Sequence, residues 1–297
     1  MDEKKKSRGF SLMEVMISLL MLLVVSGAAF RALTYYQRSY GSSRMKAVMH
    51  EGVRGAVELI SQEVGQAGLL DFTTQTTSTA ITASLTAQTV GVTSVNSIFV
   101  GEILIIDTST GEERVTVTAL DTVAGTITAV FLNSHPANTV VRGYGIFYQG
   151  ILSSSDGNNL KIFGDINGDG SITYVKYTCD TSAGTLSRSM TVVTPTTTAL
   201  SLNASDVLVN NLTVNPGGVA CFQYPTPIIA GPYTFVPSVA ITLSARTSKL
   251  DPQTKQYVTM TKSFLNLAPR NVLAGEELAL SGSRTRLQPT PSNILLF

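Results

Sequence analysis

The N-terminal part of the chain carries two successive helical patterns. In the first, residues 10–30 form an apolar run in which Glu14 is the only charged residue. A helix of this length spans about 30 Å, the thickness of the hydrocarbon core of a bilayer. The basic residues before it, Lys4, Lys5, Lys6 and Arg8, predict a cytoplasmic N-terminus, with the bulk of the chain across the membrane.

Beyond the apolar run, apolar residues recur at steps of three and four, which is the spacing of one face of an α-helix. This stripe consists of Met45, Met49, Val53, Ala56, Ile60, Val64 and Ala67. The reverse face carries Arg44, Lys46, Glu51, Arg54, Glu58 and Glu63. Gly65 and Gly68 mark the end of the pattern. We therefore predict one long helix over residues 10–68, transmembrane at 10–30 and packed in its second half on the rest of the chain.

The composition changes after Leu70 to Thr, Val, Ser and Gly, which favours β structure over residues 69–297. Within this part, residues 98–148 contain short alternating runs, beginning with 98–100 and separated by turn signals. Their spacing predicts a small antiparallel sandwich or barrel inserted at residues 84–148. The pattern favours a structural elaboration, and an interaction surface is the alternative.

The chain has two cysteines, Cys179 and Cys221. A single pair of cysteines in an exported chain favours one disulfide. Two buried free thiols are the alternative.

A pattern that resembles a calcium-binding loop lies between two predicted strands. Asp165, Asn167 and Asp169 occupy alternate positions before Gly170 and Ser171, as in the first half of an EF-hand-like calcium loop. Lys176 occupies the twelfth position of the loop, where an EF-hand normally has a bidentate glutamate, and a β-hairpin loop could recruit Asp156 or Asp180 instead. Calcium ligation by residues 165, 167, 169 and 171 and a metal-free turn both remain open.

The sequence contains no recognisable catalytic constellation. Its two histidines, His50 and His135, fall on the predicted helix and in a predicted β loop, and no nucleophile elbow or phosphate-binding loop is present. The net charge of +1 gives no indication of nucleic-acid binding. We expect no enzymatic activity and no cofactor apart from the calcium ion considered above.

The position of Glu14 suggests a function for the apolar run. A carboxylate in hydrocarbon is costly unless it finds a partner, so such a residue is a functional candidate. A secretory signal peptide cleaved near Ala29 is the competing interpretation, but its apolar region would be shorter and would lack an internal carboxylate.

Residues 9–15 read Gly-Phe-Ser-Leu-Met-Glu-Val, and this segment resembles the type IV prepilin signature. In that family a peptidase cuts after the glycine and methylates the new N-terminal residue. The resemblance implies a leader at residues 1–9, cleavage after Gly9, methylation of Phe10, and an assembly role for Glu14. Glu14 would neutralise the N-terminal amine of a neighbouring subunit, so that each buried charge becomes tolerable when the other arrives.

Two weaker motifs refine this resemblance. Residues 58–68 and residues 267–272, with their Arg-Asn pair, resemble segments of PilW-type minor pilins and of J-type minor pseudopilins of type II secretion. The implied fold is the α+β pilin fold: a long N-terminal helix packed on an antiparallel β-rich head, here with an extra small β subdomain. Major pilins commonly have a proline where this chain has Arg31, so extensive melting of the helix is not expected.

The resemblance implies a minor pilin that helps to initiate or cap pilus assembly. Its expected partners are major and minor pilins, the prepilin peptidase, the inner-membrane assembly platform and the membrane itself. It would span the inner membrane once with a periplasmic head and later sit in the extracellular pilus, at its tip. A minor pseudopilin of type II secretion and a pilus-displayed calcium-dependent adhesin are the alternatives.

Overall fold

The computed structural model describes residues 11–109, 111–197 and 206–294. The chain divides into two compact units. One consists of Met1–His50 and Thr247–Val258, and the other of Glu51–Arg246 and Thr259–Phe297.

The long helix predicted from the sequence is present as α1, Leu12–Gln66, with 55 residues. Its first part, from Leu12 to Phe30, exposes nearly all of its large apolar side chains. By length and composition this part of α1 can cross a membrane. No proline interrupts α1, and the helix continues through Arg31 without a break.

Residues 51–66 of α1 are packed within the larger unit, as this part of the apolar stripe predicts, whereas Met45 and Met49 belong to the smaller unit and are half-buried. Val53, Ile60 and Val64 are fully buried there. Glu63 was predicted to lie on the reverse face, and this prediction is wrong, because Glu63 is buried together with the stripe. Glu63 is three residues after Ile60 and therefore lies at the border of the apolar face rather than opposite it.

Eighteen strands and a second helix follow α1 in the described part of the chain. The strands before the calcium-like loop are β1 Leu69–Thr76, β2 Gln88–Gly91, β3 Ile103–Ile106, β4 Glu113–Thr116, β5 Ala119–Asp121, β6 Thr126–Ala129, β7 Val140–Phe147 and β8 Asn159–Gly164. Those after it are β9 Thr173–Asp180, β10 Thr185–Val192, β11 Asp206–Asn210, β12 Leu212–Thr213, β13 Phe222–Gln223, β14 Ile228–Ala230, β15 Tyr233–Phe235, β16 Val239–Arg246, β17 Thr259–Leu267 and, after helix α2 Arg270–Leu280, β18 Leu287–Gln288.

These strands form sheets that are antiparallel except where β18 pairs in parallel with β7. One sheet has the order β1-β7-β3-β4, a second β11-β10-β9-β8, and a third places β16 between β17 on one side and β12 and β13 on the other. A three-stranded sheet β2-β6-β5 and the β14–β15 pair complete the set. The predicted α+β class, a long N-terminal helix with an antiparallel β-rich head, is confirmed.

Residues 84–148 contribute to two of these sheets. Strands β3, β4 and β7 share a sheet with β1, whereas β2, β5 and β6 form their own sheet. Residues 98–100, predicted as a strand, are not in one: Ile98 and Phe99 are irregular and buried in the main core, and Val100 lies in a turn. The division of this region into a separate module stays a prediction.

A glycine makes the passage from α1 to β1 possible. Gly68 has a φ of +83°, a backbone conformation that strongly favours glycine. A Cβ atom here would lie 2.8 Å from the carbonyl oxygen of Phe147. The Gly68 N–H donates to the Phe163 carbonyl at 2.9 Å, and the Gly68 carbonyl accepts from the Phe147 N–H at 2.8 Å. The end of the helix is thereby joined directly to two strands of the head.

Candidate assembly site and head junction

The candidate assembly residue Glu14 lies in the first turn of α1. The predicted processing residues Gly9 and Phe10 lie outside the described residues. Glu14 is solvent-exposed among exposed apolar side chains, and within the described part of the chain it is in no ion pair. Its carboxylate is therefore available to form an ion pair with a cation from outside this part of the chain.

At the other end of α1, Glu63 joins the helix to the head through a buried charged group. The Arg188 side chain on β10 donates from Nη2 to Glu63 Oε1 at 2.5 Å and from Nε to both carboxylate oxygens at 3.0 and 3.2 Å. The Tyr177 hydroxyl on β9 also donates to Glu63 Oε2. Three donor groups thus satisfy a carboxylate that would otherwise be costly to bury.

The electrostatics of this group follow from burial and charge. Burial and the adjacent Glu63 carboxylate raise the pKa of Tyr177 above its usual range. For Arg188, burial acts to lower the pKa, but the hydrogen bonds and charge of Glu63 outweigh it and the pKa is raised. Both shifts favour a neutral Tyr177 that donates its hydroxyl proton and a positively charged Arg188.

The Arg-Asn motif noted in the sequence lies where β17 ends and α2 begins. Arg270 is the first residue of α2, and the Asn271 side chain reaches back to the C-terminal end of α1. Its Nδ2 donates to the Gln66 carbonyl at 3.1 Å and lies 3.5 Å from the carbonyl oxygens of Gly65 and Ala67. The motif thus has a structural role, which is to cap the long helix.

The predicted disulfide between Cys179 and Cys221 is present. Cys179 belongs to β9 and Cys221 directly precedes β13, so the bond links two different sheets. The two Cα atoms are 6.4 Å apart, and both residues are buried.

The loop predicted as a calcium site has a well-defined hydrogen-bond pattern. The Asp165 carboxylate is buried and accepts the N–H groups of Asp169 and Gly170 at 3.0 and 3.1 Å. Burial raises the pKa of Asp165, while these two hydrogen bonds act in the opposite direction. Gly170 has a φ of +81°, which gives the sharp turn expected from the sequence.

No hydrogen bond in the described part of the chain links the side chains of the other proposed ligands to the Asp165 carboxylate. Asn167 and Asp169 are exposed, and Asp169 Oδ1 accepts the Ser171 N–H at 2.8 Å. Asp156 and Asp180 each accept N–H groups of their own turns. In the described part of the chain no group of three or more His, Cys, Asp or Glu side chains is arranged to hold a metal ion. Calcium binding stays a prediction.

Comparison with known families gave one match. The prokaryotic N-terminal methylation motif matches residues 4–30, which include Glu14 and the apolar start of α1. Comparisons with curated proteins and with solved structures gave no match.

This motif and the fold together bear on the class of the protein. They support a type IV pilin-like or pseudopilin-like subunit, and they fit a protein anchored in the membrane by a single helix. The motif implies processing by a peptidase and partners from the pilin family. It also indicates a family of structural subunits rather than enzymes.

Proposed function

We propose that this protein is a minor pilin of a type IV pilus, of the PilW type, that helps to initiate or cap pilus assembly. The observation that carries the proposal is the methylation motif at the start of an exposed apolar helix, followed by a large disulfide-bonded β-rich head. The exposed face of α1 from Leu12 to Phe30 supports burial against lipid first and against neighbouring subunits later.

The assembly step rests on Glu14 and the processed N-terminus. Cleavage after Gly9 would create a positively charged, methylated amine on Phe10, close to the apolar run. The Glu14 carboxylate of one subunit, which is in no ion pair with the described residues, would then neutralise the amine of another. Because either charge alone is costly in hydrocarbon, transfer from lipid to filament is favoured when the two meet.

The proposed location follows from the same features. The subunit begins as a single-pass inner-membrane protein with its head in the periplasm, where the Cys179–Cys221 bond is stable. The assembly platform then moves it into the pilus, where we place it at or near the tip. The resemblance of residues 58–68 and residues 267–272 to segments of PilW-type minor pilins supports the minor-subunit assignment over a major pilin.

The test examines both the N-terminal processing of the protein and its incorporation into pili. Mass spectrometry of the mature protein should find methylated Phe10 as its N-terminus, whereas cleavage near Ala29 would exclude a pilin-type subunit. Glu14→Ala should insert in the membrane normally but be lost from sheared pili, and the matched control Ser18→Ala on the same helix face should be incorporated. Deletion of the gene should reduce the number of pili.

The same experiment separates the alternatives. Loss of protein secretion with normal pili would assign the chain to type II secretion as a minor pseudopilin. Normal pilus number with loss of calcium-dependent attachment would assign it to adhesion.

A further inference from the structure

The loop between β16 and β17 is fixed to the middle of α1 by a buried carboxylate. Asp251 and Ser42 are both buried, and the Ser42 hydroxyl donates to Asp251 Oδ2 at 2.7 Å. The Lys46 ammonium lies 3.5 Å from the same oxygen. Asp251 Oδ1 accepts the Gln253 N–H at 2.8 Å, so the carboxylate holds the loop and the helix together.

This attachment places Gln253 beside an exposed face of α1, where the two enclose a groove of about 660 Å³. The helix side of the groove is formed by Phe30, Arg31, Thr34, Tyr35 and Arg38. Arg31, Tyr35 and Arg38 share one helix face because they are four and three residues apart. All three are exposed.

The groove lies in a stretch of the helix that has only positive charge. Residues 15–50 contain Arg31, Arg38, Arg44 and Lys46 and no Asp or Glu. Within the ranges that the structure describes, neither Arg31 nor Arg38 is in an ion pair. Arg31 directly follows the apolar run, about 25 Å along the helix from Glu14, which is where a spanning helix leaves the hydrocarbon core.

We propose that this groove binds the phosphodiester headgroup of a membrane phospholipid in the leaflet from which α1 emerges. The guanidinium groups of Arg31 and Arg38 suit a phosphodiester because each offers several N–H donors in a plane. Tyr35 and Phe30 place amphipathic and apolar rings at the depth where aromatic residues are favoured. Gln253 adds an amide from the loop, so that the bound headgroup contacts both sides of the groove.

The consequence is that the lipid fixes the depth of α1 in the membrane and holds the 247–258 loop at the membrane surface. This inference goes beyond the proposed filament role and does not rest on it, since it needs only a membrane-spanning helix.

The test uses the full-length protein in detergent micelles, titrated with dioctanoyl phosphatidylglycerol and followed by native mass spectrometry. The double variant Arg31→Gln, Arg38→Gln should bind this lipid about 30-fold more weakly, the effect expected for two basic residues at an anionic surface. The matched control Arg44→Gln, Arg54→Gln removes two exposed arginines of the same helix outside the groove and should bind as the wild type does. Gln253→Ala should weaken binding less than the double variant.

Three further arms can overturn the proposal. Dioctanoylglycerol, which lacks the phosphate, should not bind, and equal binding would show that the acyl chains alone are recognised. Inorganic phosphate at the same concentration should not displace the lipid, and displacement would indicate a general anion site. An unchanged lipid affinity combined with reduced co-purification of other subunits in the double variant would assign this face to a neighbouring subunit. Circular dichroism should show the wild-type helix content in every variant, and Arg38→Gln alone replaces the double variant if it misfolds.

Discussion

The side-chain amide of Asn271 donates to the carbonyl oxygen of Gln66, the last residue of α1, at 3.1 Å. The last carbonyl groups of a helix have no partner within the helix and need one from elsewhere. Here the partner comes from a residue 205 positions further along the chain. The end of the long helix is therefore fixed by the fold of the head.

The cap predicts a specific order of stability. Asn271→Ala should lower the free energy of unfolding by about 1–2 kcal/mol, the usual value for a lost cap or hydrogen bond. Asn271→Asp keeps the shape but turns a carboxylate towards the negative end of the helix dipole, so it should destabilise more. Chemical denaturation of the full-length protein in detergent measures both, with Asn96→Asp at an exposed position as the control. An Asn271→Asp variant as stable as the wild type would argue against the cap.

The buried group around Glu63 predicts a strongly non-additive response. Arg188→Met leaves the Glu63 carboxylate buried with its main partner removed and should cost about 3–5 kcal/mol of unfolding free energy. Combining Arg188→Met with Glu63→Leu and Tyr177→Phe removes all the polar groups together and should recover most of this loss. The exposed Glu58→Gln on the same helix serves as control, and additive effects in the combined variant would contradict the coupling.

The sequence predicts those features of the fold that depend on the local spacing of apolar residues. The steps of the apolar stripe located α1 to within a few residues, and the buried Val53, Ile60 and Val64 follow from it. Glu63 was assigned to the wrong face because a carboxylate is normally exposed, and its partner Arg188 is 125 positions away in the chain. Its place beside Ile60 and Val64 was the available signal.

A single sequence does not predict which residues far apart in the chain are in contact. The disulfide could be predicted because the two cysteines allow a single pairing, whereas the parallel pairing of Leu287 with Ile146 has no local signature. The Arg-Asn motif was recognised, but the role of Asn271 as a cap depends on where α2 meets α1. Residue type and spacing do not contain that information.

A buried glutamate in the head predicts a pH dependence. Glu102 is buried, and burial raises its pKa to about 8, while the Phe99 N–H, which donates to Oε2 at 2.9 Å, acts to lower it. The folded state therefore keeps a proton that the unfolded chain releases above its ordinary pKa of 4.5. Unfolding free energy should fall as the pH rises from about 4.5 to about 8.

The variant Glu102→Gln tests this pH dependence because it resembles the protonated acid and cannot ionise. It should match the wild type near pH 4.5 and become more stable than the wild type, by a few kcal/mol, near pH 8. Glu112→Gln, at an exposed position, is the control for the loss of a carboxylate. Denaturation curves at several pH values give the comparison, and parallel stability profiles for wild type and Glu102→Gln would be inconsistent with a buried, protonated Glu102.

The disulfide predicts a large effect of reduction. The Cys179–Cys221 bond closes a loop with a sequence separation of 42, which corresponds to roughly 3–4 kcal/mol in the chain-entropy description. Cys179→Ala combined with Cys221→Ala should lose this amount and become insensitive to reductant. Thermal melts of the wild type with and without dithiothreitol provide the measurement, and equal melting temperatures would show that the bond adds no stability.

Thermal melts of variants in the Asp165 loop, with calcium or with chelator, distinguish a structural role of the loop from calcium binding. In chelator, Asp165→Ala should lower the melting temperature, because two N–H groups, those of Asp169 and Gly170, lose their acceptor. Asp169→Ala should have a smaller effect in chelator, since its carboxylate is exposed and accepts only the Ser171 N–H. If the loop binds calcium as the sequence predicts, millimolar calcium raises the wild-type melting temperature by linkage, and Asp169→Ala loses that rise while keeping its stability in chelator. A wild type indifferent to calcium would leave Asp165 with the structural role alone, and a calcium response that survives both substitutions would place the ion at other residues.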